Sequence, residues 1–163
     1  MNVTVSNDQP RTTAPVPLSR RERLGVLAIL GGHAILLAYC SWIYSPAWDE
    51  VGHLPAGVAH WQSGVFELYR VNPPLVRTAV TTLPYALGAR LDYDGTSISC
   101  PPWRRLEFTD GAAWMRADGL GFLNHLRIAR LGAIPFSLLA GWMCFRAART
   151  LYGIPSAFVA LLL

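Results

Sequence analysis

The residues best suited to chemistry follow the first long apolar run of the chain: Asp49, Glu50, His53 and His60. On a helix, Asp49, His53 and His60 fall within about 40° of one another, with Glu50 to one side. Such a face could present a general base, and Asp49, Glu50 and His53 could supply oxygen and nitrogen ligands to a divalent metal. Two simpler readings stay open: the acidic pair complements a helix dipole, and the histidines are hydrated or interfacial.

A second candidate is the segment Asn72-Pro73-Pro74-Leu75. Pro74 suits the first turn of a helix, and a residue that precedes proline favours extended backbone, so the segment predicts a rigid turn. This turn would hold Arg70 and Asn72 beside the Asp49 face, where Arg70 could contact a phosphate. Read as structure alone, the segment is an ordinary turn.

Composition narrows the class of protein. The 163 residues are 52% hydrophobic, and the net charge of +4 comes from arginine alone, because the chain has no lysine. The arginines are scattered or flank apolar runs, which favours a membrane protein over a nucleic-acid-binding one. The three cysteines are far apart and predict neither a disulfide framework nor a zinc site. No hydrolase triad order, Walker A or HExxH motif occurs.

The apolar runs predict an all-α integral membrane protein. After a disordered tail at residues 1–19, residues 24–44 carry no formal charge and match the roughly 20 residues that a membrane-spanning helix needs. Arginines precede this helix, and none follows until Arg70, so the positive-inside rule predicts a multi-pass protein of the cell (inner) membrane with a cytoplasmic N-terminus. Within this first span, His33 is expected to pair with a neighbouring helix.

Two further apolar runs follow. Residues 131–152 predict a second span, with Arg146 and Arg149 extending to the headgroups, and residues 154–163 predict the start of a third. Because the third run stops after only ten residues, we expect the chain to be a fragment of a longer protein. Arg127 and Arg130, just before the second span, are expected to anchor it at the interface or to bind anionic headgroups.

The external loop at residues 45–130 contains two stretches with helical periodicity, at about 49–69 and 73–90. Both are amphipathic, so we expect two helices that lie in the membrane interface with their apolar sides toward the lipid. Residues 92–123 mix glycine, proline and charges, which predicts an irregular insertion with one short helix near 112–117.

The order of these motifs resembles a known family. Asp49-Glu50 opens the external loop, Gly64-Val65-Phe66 and Asn72-Pro73-Pro74-Leu75 follow, and Ala129-Arg130-Leu131 introduces the second span, which closes at Ala148–Gly153. The sequence from Arg20 to Leu163 is similar to the N-terminal part of the GT-C fold membrane glycosyltransferases, especially the protein O-mannosyltransferases and the aminoarabinose transferases of lipid A.

The resemblance implies a sugar transfer from a polyprenyl-phosphate donor to an acceptor on the external face, with membrane lipids as further partners. It implies that Asp49 is the catalytic base or orients the acceptor, with Glu50 as its partner, in some members near a divalent metal. Asn72 stands where the family usually has Lys or His, so contact with the phosphate passes to Arg70 or Arg77. The alternative function is a non-catalytic membrane anchor or assembly subunit that binds lipid or a protein partner.

Overall fold

The computed structural model describes residues 17–64, 66–91 and 105–163, and within these ranges the chain is helical with no strand. The first two helices are α1 (Arg20–Ile43) and α2 (Trp48–Ser63). They are followed by α3 (Leu75–Ala86) and α4 (Leu106–Asp118). The last two are α5 (Leu120–Tyr152) and α6 (Ile154–Leu162).

Local signals explain where the first two helices begin and end. Helix α1 starts before the predicted residue 24 because Ser19 and Glu22 form a capping box, in which each side chain accepts a hydrogen bond from the other's backbone N–H. Helix α2 stops at Ser63, short of the predicted 69, because Gly64 takes the left-handed conformation with φ 69°.

The later boundaries also differ from the predictions. Helix α3 is shorter than the predicted 73–90, since Pro74 caps its start and the chain leaves it after Ala86. Within the predicted insertion, residues 106–118 form α4, and residues 120–123 belong to α5. The second apolar helix therefore begins 11 residues before the predicted 131. Residues 92–104 and most of the predicted tail, 1–16, lie outside the described residues.

The helices pack around two separate clusters of buried side chains. The first joins α2, α3, α4 and the beginning of α5, with Leu54, Val58, Tyr69, Phe122 and Leu126 among its members. The second joins α1, the end of α5 and α6 around Val26, Phe145 and Ala157. Helix α5 thus takes part in both, and at about 1.5 Å per residue its 33 residues extend for about 50 Å.

Helices α1 and α5 are long and apolar enough to cross a membrane. Only 11% of the most apolar window of each is buried inside the protein, so most of this apolar surface faces outward. His33 on α1 forms a 2.9 Å hydrogen bond between its Nε2 and Ser137 Oγ on α5, which confirms the expected pairing.

Helix α2 was expected to lie on the lipid with one apolar side, and the structure contradicts this. Nine of the ten positions from Val51 to His60 are buried, all except His53, because α3, α4 and α5 pack around the helix. Close packing depends on two glycines: a Cβ at Gly111 would lie 1.8 Å from the Val51 carbonyl oxygen, and one at Gly57 would lie 2.5 Å from Thr81 Oγ1.

Candidate functional site

A cavity of about 380 Å³ lies between α2, α3 and α5. Its walls are largely apolar, formed by side chains such as Leu54, Val76, Val80 and Leu126. Polar groups from all three helices and the turn before α3 converge on it: Glu50, His53, Asn72, Arg77, Thr81 and Arg130. Apolar walls with a few converging polar groups are typical of a binding site for a small molecule.

Arg130 joins three parts of the chain at one end of this cavity. Its Nε and Nη2 donate to the two carboxylate oxygens of Glu50 at 2.7 and 2.5 Å. Its Nη1 donates to the carbonyl oxygens of Ser41 and Tyr44 at 3.1 and 2.8 Å, and Nη2 also donates to that of Ser45 at 2.9 Å. A guanidinium has five N–H groups, so these contacts use its whole donor capacity. Arg130 therefore holds the end of α1 against α2 and has no donor left for a ligand.

Glu50 is correspondingly occupied. Besides the two bonds from Arg130, its Oε2 accepts a 2.8 Å hydrogen bond from the backbone N–H of Ala47 at the start of α2. Burial raises the pKa of Glu50, but the hydrogen bonds from Arg130 and Ala47 outweigh it and hold that pKa below its usual value. Glu50 is thus a charged group that stabilises the packing of α2 against α5, and its predicted catalytic role stays a prediction.

Arg77 lines the same cavity with its donors mostly unused. The residue is only 5% exposed, and its Nη2 donates to the carbonyl oxygen of Asn72. Neither Nε nor Nη1 has a hydrogen-bond partner among the described residues, and no carboxylate there forms an ion pair with it. Burial lowers the pKa of Arg77, although a guanidinium keeps its charge at neutral pH. Within the described ranges, the site therefore contains a buried cation without an ion-pair partner.

The guanidinium of Arg77 instead lies over the ring of Tyr69, 4.8 Å from its centroid. Tyr69 is 5% exposed and is the only non-glycine residue with a positive φ, 62°, in the described ranges. The imidazole of His53 meets the same ring edge-to-face at 4.4 Å, and Asn72 Nδ2 donates to its hydroxyl at 3.4 Å. Sequence patterns did not single out Tyr69, because neither its positive φ nor its contacts with Arg77 and His53 are indicated by the residue types around it.

His53 is half-buried in the cavity wall. Its Nδ1 is buried without a hydrogen-bond partner among the described residues. Burial lowers the pKa of His53, the charge of Arg77 lowers it further, and Asp49, Glu50 and Glu107 oppose these effects. His53 is therefore expected to be neutral at pH 7.

The predicted polar face of α2 is divided by the packing. Asp49 is exposed in the first turn and does not line the cavity, although its charge acts on His53 one turn later. His60 is 3% exposed and bonds to Thr78 Oγ1 and the Leu68 carbonyl oxygen, so it is neither hydrated nor interfacial. No group of three metal-ligating side chains occurs in the described part of the chain, so the predicted site of Asp49, Glu50 and His53 is not formed.

The other predicted phosphate-binding residues separate in the same way. Arg70 is exposed, forms an ion pair with Glu67 three residues earlier, and lies outside the cavity. Asn72 lines the cavity and holds Arg77 through its carbonyl oxygen. Arg127 lies over the ring of Trp42 at 4.9 Å, as an anchoring residue would.

A wider groove of about 610 Å³ adjoins the cavity between α1 and α5. The groove and the cavity share Glu50, Arg130 and Ala133, so the ion pair between Glu50 and Arg130 lies at their boundary. Most of the groove lining comes from the two helices that are long and apolar enough to cross a membrane.

No protein-family model, curated protein or solved structure matches this chain. The cavity combines a buried guanidinium with two nitrogens unpaired among the described residues, a neighbouring imidazole and an amide side chain with largely apolar walls. Such a guanidinium is chemically suited to an anionic oxygen.

Proposed function

We propose that this chain forms the donor-binding part of a membrane glycosyltransferase of the GT-C type, which moves a sugar from a polyprenyl phosphate to an acceptor on the external face. The observation that carries the proposal is Arg77: a buried guanidinium in a largely apolar cavity, with Nε and Nη1 unpaired in the part of the chain that the structure describes. Leaving such donors unsatisfied is costly, and a phosphate oxygen is a matching acceptor.

The surroundings of the cavity support a lipid-linked ligand. Helices α1 and α5 expose most of their apolar surface, which a bilayer would cover. Arginines at 11, 20, 21 and 23 precede α1, and by the positive-inside rule this favours a cytoplasmic N-terminus with the cavity on the external side. A polyprenyl chain would then remain beside α1 and α5 while its phosphate reaches Arg77.

In the proposed reaction, the acceptor oxygen bonds to the anomeric carbon of the sugar as the bond from that carbon to the phosphate oxygen breaks. Arg77 stabilises the negative charge on the departing phosphate. Asp49 receives the proton of the acceptor hydroxyl, since its exposed carboxylate is open to a second substrate whereas Glu50 is occupied by Arg130.

A binding measurement tests the phosphate site. The full chain is purified in detergent, and its affinity for farnesyl monophosphate is measured by calorimetry. We expect Arg77→Gln to weaken binding by about tenfold or more, the scale of a lost charge-assisted contact. Arg70→Gln is the matched control, because it removes an exposed arginine outside the cavity, and should bind as the parent chain does. Equal affinities for all three proteins would contradict the proposal.

The alternative, a non-catalytic lipid-binding subunit, is favoured by one observation: the carboxylate that lines the cavity, Glu50, is already paired. Transfer of a radiolabelled sugar from polyprenyl phosphate, in membranes that contain the chain, separates the two functions. Under the transferase proposal Asp49→Asn abolishes transfer and leaves farnesyl phosphate binding unchanged. If the parent chain binds the lipid phosphate and transfers no sugar, the subunit function is correct.

A further inference from the structure

The ring of Tyr69 lies next to the guanidinium of Arg77 in the wall of the cavity. We infer that Tyr69 is a positioning residue: its ring supports the buried guanidinium of Arg77 from one face and so leaves the N–H edges available to a phosphate. The inference deepens the proposed phosphate site and rests on it.

The geometry of a guanidinium explains why the kind of partner matters. Its N–H groups all point outward in the plane of the group, so a carboxylate partner occupies them, as Glu50 does with Arg130. A ring partner contacts the flat face of the guanidinium and leaves the in-plane donors open. The guanidinium carbon of Arg77 lies over the Tyr69 ring, 4.8 Å from its centroid, and Nε and Nη1 have no hydrogen-bond partner among the described residues.

The nearby carboxylate is engaged elsewhere. Glu107 is 2% exposed, and its charge acts on Arg77, but it forms its ion pair with Arg105. The guanidinium of Arg105 also lies over the Tyr69 ring, 5.1 Å from the centroid. The Tyr69 ring therefore contacts two arginines, of which Arg105 has an ion-pair partner and Arg77 has none among the described residues.

The backbone of Tyr69 is consistent with a role for its side chain. A φ of 62° is a conformation that glycine or asparagine adopts with less strain than a tyrosine. This conformation places one ring against Arg77, His53 and the amide of Asn72, three residues that line the cavity. Backbone strain at a residue that organises a site is common in binding and catalytic sites.

Farnesyl monophosphate binding by the full chain in detergent tests the inference. We expect Tyr69→Phe, which keeps the ring, to stay within about threefold of the parent affinity, and Tyr69→Leu to lose about tenfold. Tyr85→Leu is the matched control, because it removes another ring beneath an arginine, Arg90 at 4.1 Å, outside the cavity. Its affinity should be unchanged.

A double-substitution cycle distinguishes positioning from a general structural role. If Tyr69 acts through Arg77, adding Tyr69→Leu to Arg77→Gln causes no further loss of affinity. An undiminished loss in that background, or parent-like binding by Tyr69→Leu, overturns the inference. If Tyr69→Leu does not fold, a tenfold loss in Tyr69→Phe also overturns it, since the ring alone is then insufficient. Failure of Arg77→Gln to weaken binding instead refutes the phosphate site itself.

Discussion

Arg130 and Arg77 line one cavity, and the packing around them gives them opposite properties. Arg130 sits where α1, α2 and α5 meet, and a carboxylate and three carbonyl oxygens satisfy all its donors. Arg77 sits between α2 and α3 over an aromatic ring, and two of its nitrogens have no partner in the described part of the chain. A saturated arginine stabilises the fold, whereas an unsaturated buried one is available to bind.

The largest effect on stability is expected from a substitution of Arg130. Arg130→Gln leaves the half-buried Glu50 without its counter-charge and frees the end of α1, so it should lower the free energy of unfolding by about 3 kcal/mol. Thermal unfolding in detergent, followed by circular dichroism, measures this. Arg127→Gln, which removes only an exposed contact with Asn124 and the stacking on Trp42, should change stability by less than about 1 kcal/mol. Equal effects would show that Arg130 is not a structural clamp.

A second change alters the spacing of α2 and α3 and leaves the Arg130 contacts in place. In Gly57→Ala the added methyl would lie 2.5 Å from Thr81 Oγ1 and 2.8 Å from the Arg77 carbonyl oxygen, so α3 must move away from α2. We expect the free energy of unfolding to fall by about 2 kcal/mol and the affinity for farnesyl monophosphate to fall as well. Gly31→Ala, with nothing within 4 Å of the new methyl, should not destabilise. If the Gly57→Ala protein has the stability and affinity of the parent chain, the contact at Gly57 does not determine the spacing of α2 and α3 at the cavity.

Lowering the pH tests the ion pair between Glu50 and Arg130, with a smaller expected effect on stability. The pKa of Glu50 is held below its ordinary 4.5 in the folded protein, so the pair stabilises the fold above that pH and is lost as the pH falls through the folded value. Glu50→Gln should cost about 1 kcal/mol at pH 7, and the difference from the parent should disappear in acid. Unfolding curves at pH 7 and at successively lower pH measure it. A difference that does not shrink as the pH falls would assign the effect to packing.

The smallest effect on stability is expected from a substitution of Arg77. Arg77→Met replaces a buried charge that has no carboxylate partner among the described residues with an apolar side chain. The free energy of unfolding should therefore change by no more than about 1 kcal/mol, in either direction. Farnesyl phosphate binding should fall in the same protein. A large loss of stability would show that Arg77 acts structurally, as Arg130 does.

Sequence patterns predicted where the helices lie better than they predicted which residues pack around each helix. The apolar runs located α1, α5 and α6, and periodicity located α2 and α3, because both signals are local. The capping box at Ser19 and Glu22 and the stop at Gly64 were also readable from residue types, and they account for two boundary errors. Helix α4 was only partly found, because its glycine and charges look irregular until α2 packs against Gly111.

The polar residues were harder to interpret. The sequence brought Asp49, Glu50 and Arg77 to attention but could not say which would be occupied, since the partner of Glu50 is 80 residues away on α5. It also grouped His60 with Asp49 on one helical face, whereas α3 and the turn before it cover His60. A helical wheel gives the angle between side chains and leaves out the neighbouring helices.

The sequence by itself determined that the chain is helical, that two helices are long and apolar enough to cross a membrane, and that acidic and basic residues follow the first of them. Hydrophobic periodicity, caps and turns operate over a few residues and can be read directly. Only the tertiary structure decided which charges are neutralised and which remain open, because ion pairing and burial depend on residues that are distant in sequence. The contrast between Arg130 and Arg77 exists only in the packed molecule.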